Sequence, residues 1–433
     1  MKKIKGLRWW IVSLVALATI INYIDRSAIA IMWPSIQEDV GLTKEDYALI
    51  GIMFTVAYAI SQSLSGKLYD KIGTRLGFVI SIVVWSLSVA FHSAARSLMS
   101  FSFFRFMLGL GEAGNWPGAT KSNAEWFPIK ERAFAQGIFN SGASIGAVIS
   151  APFIALLYTW FGWKLTFIIL GVLGLLWLIP WLIINKALPE SHPWLSDEEK
   201  KYILEGQKDR VAGAETDERA PGWFEIMGYK KSWSVLASRF FLDPIWWLFV
   251  FWLPIYLADK FGFDIKQIGL FAWVPYAGAA VGALLGGWIA GKLINRGWSI
   301  SKARKFTVTL GGVIMLPSLL LTSVAASPLN AVLLIALILL GFQISIGNIQ
   351  TIPSDIFTGK SVGSLAGAGG TTAAIGVAIT TYLVPELTVH SYTPFFLFGA
   401  ILVPLGVACV FIFGGDLERI KVNSKDNNNQ AER

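Results

Sequence analysis

The chain has 433 residues, of which 54% are hydrophobic and only 15% charged, and its mean hydropathy is +0.58. A soluble domain of this length has no surface on which to hold so much apolar side chain, so the composition predicts an all-α integral membrane protein. The net charge of +8 does not point to nucleic acid, because the basic residues sit in short connections between apolar runs, which is what membrane topology demands.

Four bases, Lys2, Lys3, Lys5 and Arg8, precede the first apolar run. A helix crossing the hydrocarbon core takes roughly 20 apolar residues. On that measure the sequence predicts twelve spans, centred near Leu17, Tyr58, Val84, Leu108, Ile145, Leu175, Leu248, Ala280, Ile314, Ile335, Ala374 and Val403. Connections after odd-numbered spans are poor in bases or acidic, as between Glu38 and Asp46. Those after even-numbered spans carry Lys67, Lys71 and Arg75, then Lys121, Lys130 and Arg132, then Lys292, Arg296, Lys302, Arg304 and Lys305. The asymmetry places both termini in the cytoplasm, and the long first span needs no cleavable signal.

The predicted domains are an N-terminal six-helix bundle (1–184), a cytoplasmic linker (185–233), a C-terminal six-helix bundle (234–415) and a cytoplasmic tail (416–433). The linker turns polar, with Pro189, Pro193, Pro221 and a Ser196-Asp197-Glu198-Glu199 stretch that reads as a helix capping box. Its simplest role is a solvated connection with one or two short helices; a regulatory role is the alternative. The Asn-rich end from Asn423 to Arg433 has a disordered composition. Cys409 stands alone and His92, His192 and His390 lack ligand spacing, so neither a disulfide, a metal site nor a cofactor is expected.

Within the first span, Asp25 and Arg26 stand side by side, and in the fourth Arg105 and Glu112 lie seven residues apart. Ionised groups at membrane depth are costly and are usually kept for use. Seven residues make almost two turns, so Arg105 and Glu112 share a face about 10 Å apart along the axis. These two acids and two bases cancel in charge. They read either as structural ion pairs or as a site in which arginine forks hold a carboxylate and carboxyl groups exchange protons; buried pairs fasten helices poorly compared with apolar packing, which favours the second reading.

Sugar hydroxyls would need short polar partners and flat rings. Tyr23 lies beside the charged pair; Tyr58 and Gln62 are four apart on the second span; Asn140 is in the fifth, and Gln343, Asn348 and Gln350 are amides in the tenth. Each amide serves equally well as an interhelical hydrogen bond. Arg239 and Asp243 at i and i+4 of the seventh span read as a structural or gating bridge rather than a ligand site. Gly278, Gly282 and Gly286 make a close-packing stripe on the eighth.

The halves echo each other: Gly66-Lys67-Leu68-Tyr69-Asp70-Lys71-Ile72-Gly73-Thr74-Arg75 follows the second span, and Gly287-Trp288-Ile289-Ala290-Gly291-Lys292 with Asn295-Arg296-Gly297 follows the eighth. Such an echo marks a repeat transporter. The first copy resembles the loop signature of the major facilitator superfamily, which implies a gate built on Asp70, Lys71 and Arg75; the second copy has Gly291 in place of the acid. An ordered series is similar to the anion:cation symporter family. It comprises Lys3-Ile4-Lys5-Gly6-Leu7-Arg8-Trp9, Gly111-Glu112-Ala113-Gly114-Asn115-Trp116-Pro117, Glu125-Trp126-Phe127-Pro128 with Glu131-Arg132, Phe139-Asn140-Ser141-Gly142, Asp243-Pro244 with Phe251-Trp252-Leu253-Pro254, and Pro353-Ser354-Asp355. Within that family it looks like the bacterial hexuronate transporters, some of which carry a neutral residue where this chain has Asp25.

The resemblance implies proton coupling and anion recognition through Asp25, Arg26 and Glu112, with Arg105 at a second basic position; the polar residues expected at the substrate are Tyr23, Tyr58, Gln62, Asn140, Gln343 and Asn348. Taken whole, the sequence predicts a proton-coupled symporter importing glucuronate and galacturonate by alternating access. It is expected to be monomeric in a bacterial inner membrane, with no nucleic acid partner. The alternatives are a symporter of an aldonate, aldarate or unsaturated uronate, or a nontransporting sensor on the same fold. Neither a metal cluster nor a nucleophile with its base supports an enzyme.

Overall fold

The computed structural model describes residues 3–208, 223–357 and 360–420. The chain forms α1 (Leu7–Val40), α2 (Lys44–Phe91), α3 (Leu98–Glu112), α4 (Asn115–Trp126), α5 (Ile129–Ile184), α6 (Asp197–Lys208), α7 (Trp223–Gly228) and α8 (Trp233–Phe261). It continues with α9 (Ile265–Phe271), α10 (Val274–Asn295), α11 (Ile300–Ser323), α12 (Pro328–Ile349), α13 (Ile352–Ile356), α14 (Lys360–Leu387) and α15 (Thr393–Gly414). Among the described residues, ten stretches are long and apolar enough to cross a membrane. One of them, Ala135–Ile184, bends at Gly162, whose φ of 69° no side-chain-bearing residue adopts cheaply, and so holds the fifth and sixth spans. The fourth span falls outside that set because it is divided into α3 and α4, of 15 and 12 residues, each shorter than a spanning helix needs. Counted this way the helices agree with a twelve-span, all-α membrane fold.

Local signals fix where the helices start. Thr43 accepts from the Asp46 backbone N–H while the Asp46 carboxylate accepts from Thr43 N–H, a reciprocal box that opens the second span. Ser97 and Ser100 do the same for α3. Gly41, at φ 74°, stops α1.

Two compact units result: Met1–Thr216 with Ile265–Leu270, and Asp217–Asp264 with Phe271–Arg433. In the first, α1 packs along α5 and α2 along α3. The second is built on α10 and α11 against α12, and on α8 against α14 and α15. The glycine stripe of the eighth span lies on the tenth: a Cβ at Gly286 would come within 2.9 Å of the Ile344 backbone.

The linker contributes a different feature from the capping box its sequence suggested. The Glu199 N–H donates to Ser196 Oγ at 3.2 Å, but the Glu199 carboxylate does not return to Ser196. It accepts instead from the backbone N–H groups of Gly6 (2.7 Å), Leu7 (3.2 Å) and Arg8 (3.4 Å) and from Arg8 Nη1 (2.7 Å). α1 begins at a left-handed Gly6 with no cap and no acid of its own, so its exposed N–H groups and positive dipole end take the linker's carboxylate. Arg8 Nε also donates to Glu131 at the start of α5 (3.0 Å), and Tyr202 of α6 donates to the same carboxylate (2.9 Å). Lys3 pairs with Asp197, whose carboxyl is thereby held below the usual range. His192 is wedged edge-on against Trp126, its ring centroid 5.4 Å away, with Nε2 at 2.9 Å from the Ile184 carbonyl and Nδ1 accepting from Trp194 N–H. Burial holds its ring below the ordinary value of 6.5, with the Lys186 charge adding to the effect and the Ile184 hydrogen bond opposing it.

Candidate functional site: a buried charge cluster in the first unit

The four charged residues of the first and fourth spans come together, and all are buried: Asp25 is 1% exposed, Arg26 3%, Arg105 1% and Glu112 0%. Sequence neighbours do not pair here. Successive side chains on a helix point about 100° apart, so Asp25 and Arg26 leave α1 in different directions. Arg26 turns toward the fourth span, where its Nε donates to Glu112 Oε2 at 2.8 Å and Nη2 lies 2.8 Å from the same oxygen. Its Nη2 also donates to Asn22 Oδ1, one turn back on α1, at 3.1 Å. Three rings surround the guanidinium, with centroids at 5.1 Å (Tyr23), 5.3 Å (Phe54) and 5.1 Å (Tyr58). Their π faces stabilise a cation that has left water.

Arg105 Nη2 donates to the backbone carbonyl of Arg26 at 2.9 Å, and its guanidinium stacks 4.8 Å from the Phe54 ring. Arg105 Nε has no hydrogen-bond partner. The remaining acceptors are equally incomplete: Glu112 Oε1 and both oxygens of Asp25 are buried and unpartnered. A partnerless buried ionised carboxylate costs several kcal/mol or more. The arrangement therefore has one ion pair with a carboxylate oxygen to spare, one arginine with a spare donor and one carboxyl group with nothing to bind. Such a set offers buried acceptors for a proton and a spare donor for an anion.

Local backbone explains why the helices approach so closely. A Cβ on Gly109 would sit 2.5 Å from the Phe54 carbonyl, and one on Gly146 2.8 Å from the Ile20 carbonyl; only glycine admits these contacts. The hydrogen-bond ladder of the fourth span is interrupted immediately after Glu112, at Ala113 and Gly114, although both residues keep right-handed helical dihedrals, before it resumes as α4. Beyond the break, Asn115 Nδ2 donates to Thr19 Oγ1 of α1 at 3.0 Å.

The other expected residues are distributed more widely. Tyr23 and Tyr58 flank Arg26, and Gln62 is half-buried one turn beyond Tyr58. Asn140 is exposed on α5 and accepts from Gln136 at 3.3 Å. In the second unit Gln343 is half-buried on α12. Asn348 is fully used by protein: it accepts from Arg304 Nη1 (3.1 Å) and donates to the carbonyls of Gly286 (3.2 Å) and Ile344 (3.0 Å). Arg304 Nε completes that cluster on Asp355 at 3.0 Å. Arg239 pairs with Asp243 at 2.7 Å and reaches the Ala366 carbonyl at 3.4 Å. Of the loop residues, Lys71 and Arg75 are exposed, Arg75 carries the Trp181 Nε1 hydrogen bond on its carbonyl (3.1 Å), and the side chain of Asp70 lies outside the described residues.

Sequence reasoning missed Asn22, Asn115, Thr19 and Phe54. The first two carried a signal: Asn22 precedes Arg26 by four residues and Asn115 follows Glu112 by three, helix spacings that put amides on the charged faces. Phe54, one of many phenylalanines, carried none.

Comparison with known proteins agrees with this architecture. The model described as Major Facilitator Superfamily matches residues 15–381. The chain is 31% identical to the hexuronate transporter of Escherichia coli strain K12, covering 100% of this chain and 99% of the relative. It is 34% identical to the galacturonate transporter of Dickeya chrysanthemi, over 73% of this chain and 91% of the relative. Among solved structures, a bacterial homologue of the human lysosomal transporter Spinster, in an inward-facing and unoccupied conformation, superposes with a TM-score of 0.71 at 18% identity over 96% of both chains. That likeness concerns the fold. Twelve spans, a repeat signature after the second and eighth, and these matches together show that the chain is a multi-pass membrane transport protein and not an enzyme, and that it belongs to the Major Facilitator Superfamily.

Proposed function

We propose that this protein is a proton-coupled symporter that imports hexuronates, glucuronate and galacturonate, by alternating access across a bacterial inner membrane, as a monomer with both termini in the cytoplasm. The observation that carries the reading is Asp25, a fully buried carboxyl group without a hydrogen-bond partner, beside an Arg26–Glu112 ion pair whose arginine is already shared with Asn22. Two transporters similar to this chain are described as a hexuronate transporter and a galacturonate transporter.

Charge balance supplies the coupling. Two carboxylates and two guanidinium groups sum to zero in a region where net charge is expensive. A monoanionic sugar acid entering alone would leave a deficit of one positive charge; one accompanying proton restores neutrality. Protonation of Glu112 weakens its hold on the Arg26 fork, which then offers two parallel donors to the substrate carboxylate. Arg105 adds its spare donor, and Tyr23 and Tyr58 supply flat faces and hydroxyls for the ring. Asp25 holds a further proton or shares the first. On release the anion leaves its fork first; in net uptake the proton then leaves Glu112 and Arg26 returns to it, whereas in exchange a second anion enters the still-protonated site. Asp70, Lys71 and Arg75, with Arg239 and Asp243, act in gating.

Purified protein in proteoliposomes, with an imposed pH gradient and a panel of labelled sugar acids, tests this directly. Hexuronate should accumulate against its gradient, Asp25→Asn and Glu112→Gln should lose accumulation while retaining exchange, and Arg26→Ala should lose binding. Normal accumulation in all three variants would sink the assignment. A second cargo class, aldonates, aldarates or unsaturated uronates, is favoured by Asp25 itself, since some hexuronate carriers have a neutral residue there; a panel member that outcompetes glucuronate would select it.

A further inference from the structure

The fourth span carries more unsatisfied polar atoms than its charges explain. Asn115 Oδ1, Ser122 Oγ, Asn123 Oδ1 and Trp126 Nε1 are all buried without a hydrogen-bond partner, and all four belong to α4. Asn22 Nδ2 on the facing part of α1 is in the same condition. Buried polar groups are nearly always partnered, so five in one place call for an explanation.

Their positions are ordered. Glu112, Asn115, Ala119, Ser122 and Trp126 follow one another at three- and four-residue steps, which keeps them on one stripe of the fourth span. Each is buried. At one end the stripe meets Arg26 and Asn22 through Glu112, and Thr19 through Asn115. At the other end it reaches the close of the helix, where Asn123 Nδ2 donates to Gln136 Oε1 of α5 at 3.1 Å and Gln136 in turn donates to the exposed Asn140. The tenth span, interrupted likewise after Ile349, makes the contrast: Ser345 donates to the Val308 carbonyl at 2.9 Å and Asn348 is bonded at both ends of its amide. A break in the helix alone therefore does not generate the unsatisfied stripe.

We propose that this stripe is the proton exit route of the transporter, a file of water molecules held between Glu112 and the far end of α4 by Asn115, Ser122 and Asn123. The proposal rests on the proton-coupled reading above. Asn115 and Ser122 are separated by about 10 Å along the axis, which two or three waters at about 2.8 Å spacing bridge. In the step itself the Glu112 O–H bond breaks, its proton passes to the first water, each water hands on a proton to the next, and the last releases one to the cytoplasm. The carboxylate left behind closes on Arg26. Amide oxygens and the Ser122 hydroxyl orient the file; the hydroxyl can also accept and donate in turn.

Ser122→Ala provides a clean test, because Ser122 Oγ has no protein partner and its removal leaves no protein hydrogen bond broken. In proteoliposomes, net uptake driven by a pH gradient should fall about tenfold, equivalent to about 1.4 kcal/mol on the barrier. Exchange of labelled for unlabelled hexuronate at equal pH, which needs no proton release, should stay unchanged, as should the melting temperature. Ser122→Thr should restore net uptake, and the slowdown in D2O should be larger in the alanine variant than in the parent. Unchanged net uptake in Ser122→Ala and in Asn115→Leu overturns the route, as does an equal fall of uptake and exchange. Failure of the unmodified protein to couple uptake to protons is a separate result, which would remove the symport reading before any variant is made.

Discussion

The two units hold their charges in different ways. In the second unit the pairs Arg239–Asp243 and Arg304–Asp355 have side chains 16% and 7%, and 17% and 11%, exposed. In the first, Arg26 and Glu112 are 3% and 0% exposed. The second unit's arginines reach additional protein acceptors, Ala366 and Asn348, whereas the first unit leaves Asp25, one oxygen of Glu112 and one nitrogen of Arg105 without a partner. The better-solvated set is the better satisfied. Burial makes unsatisfied groups dearer, so selection for stability alone would have arranged the reverse. The proposed function assigns this difference to charges that hold helices on one side and charges that are kept available on the other.

Substitutions can break this contrast. Arg26→Ala has the largest expected effect: loss of charge-assisted hydrogen bonds to a bound carboxylate, about 3 kcal/mol, lowers affinity about a hundredfold, measurable by equilibrium binding of a labelled hexuronate. Arg26→Lys should recover only part of this, since an ammonium lacks the planar fork.

Asp355→Asn sharpens the comparison from the other side. Removing one partner of a part-buried pair should cost stability, about 1–3 kcal/mol in thermal or denaturant unfolding, while coupling of proton to substrate persists. If Asp355→Asn instead uncouples transport as Glu112→Gln does, the division between holding and available charges fails.

Smaller effects belong to the linker. Glu199→Ala strips the first turn of α1 of its only carboxylate cap and should cost about 1 kcal/mol, read as a lowered melting temperature. Glu199→Gln, which keeps acceptors but loses charge, should lie between. Last is His192. Its ring is held below the ordinary 6.5 in the docked linker, so the undocked state binds the proton more readily. Docking is then fully favoured above 6.5 and weakens as pH falls below that value. Hydrogen exchange of residues 194–208 should accelerate on acidification, and His192→Gln should remove that dependence.

How much of this was legible beforehand varies by residue. Apolar run length gave the spans, because a bilayer imposes that length on local sequence. The break of the fourth span was not read, although Gly111-Glu112-Ala113-Gly114 supplies it. The capping box at Ser196 was half right: the backbone contact forms, but the carboxylate serves another helix far along the chain. Asn348 was placed among substrate contacts on polarity alone; its three hydrogen bonds tie it to Arg304 and to two backbone carbonyls.

By itself the sequence determined a twelve-span membrane transporter with two acids and two bases at depth, since hydropathy, helical periodicity and ion cost are properties of short segments. Only the tertiary structure decided the pairing. Asp25 and Arg26 are adjacent in sequence yet point apart, Arg26 meets Glu112 across two helices, and Asp25 is left alone. Which charge is satisfied depends on helix rotation and close approach at Gly109 and Gly146, and no local pattern encodes either.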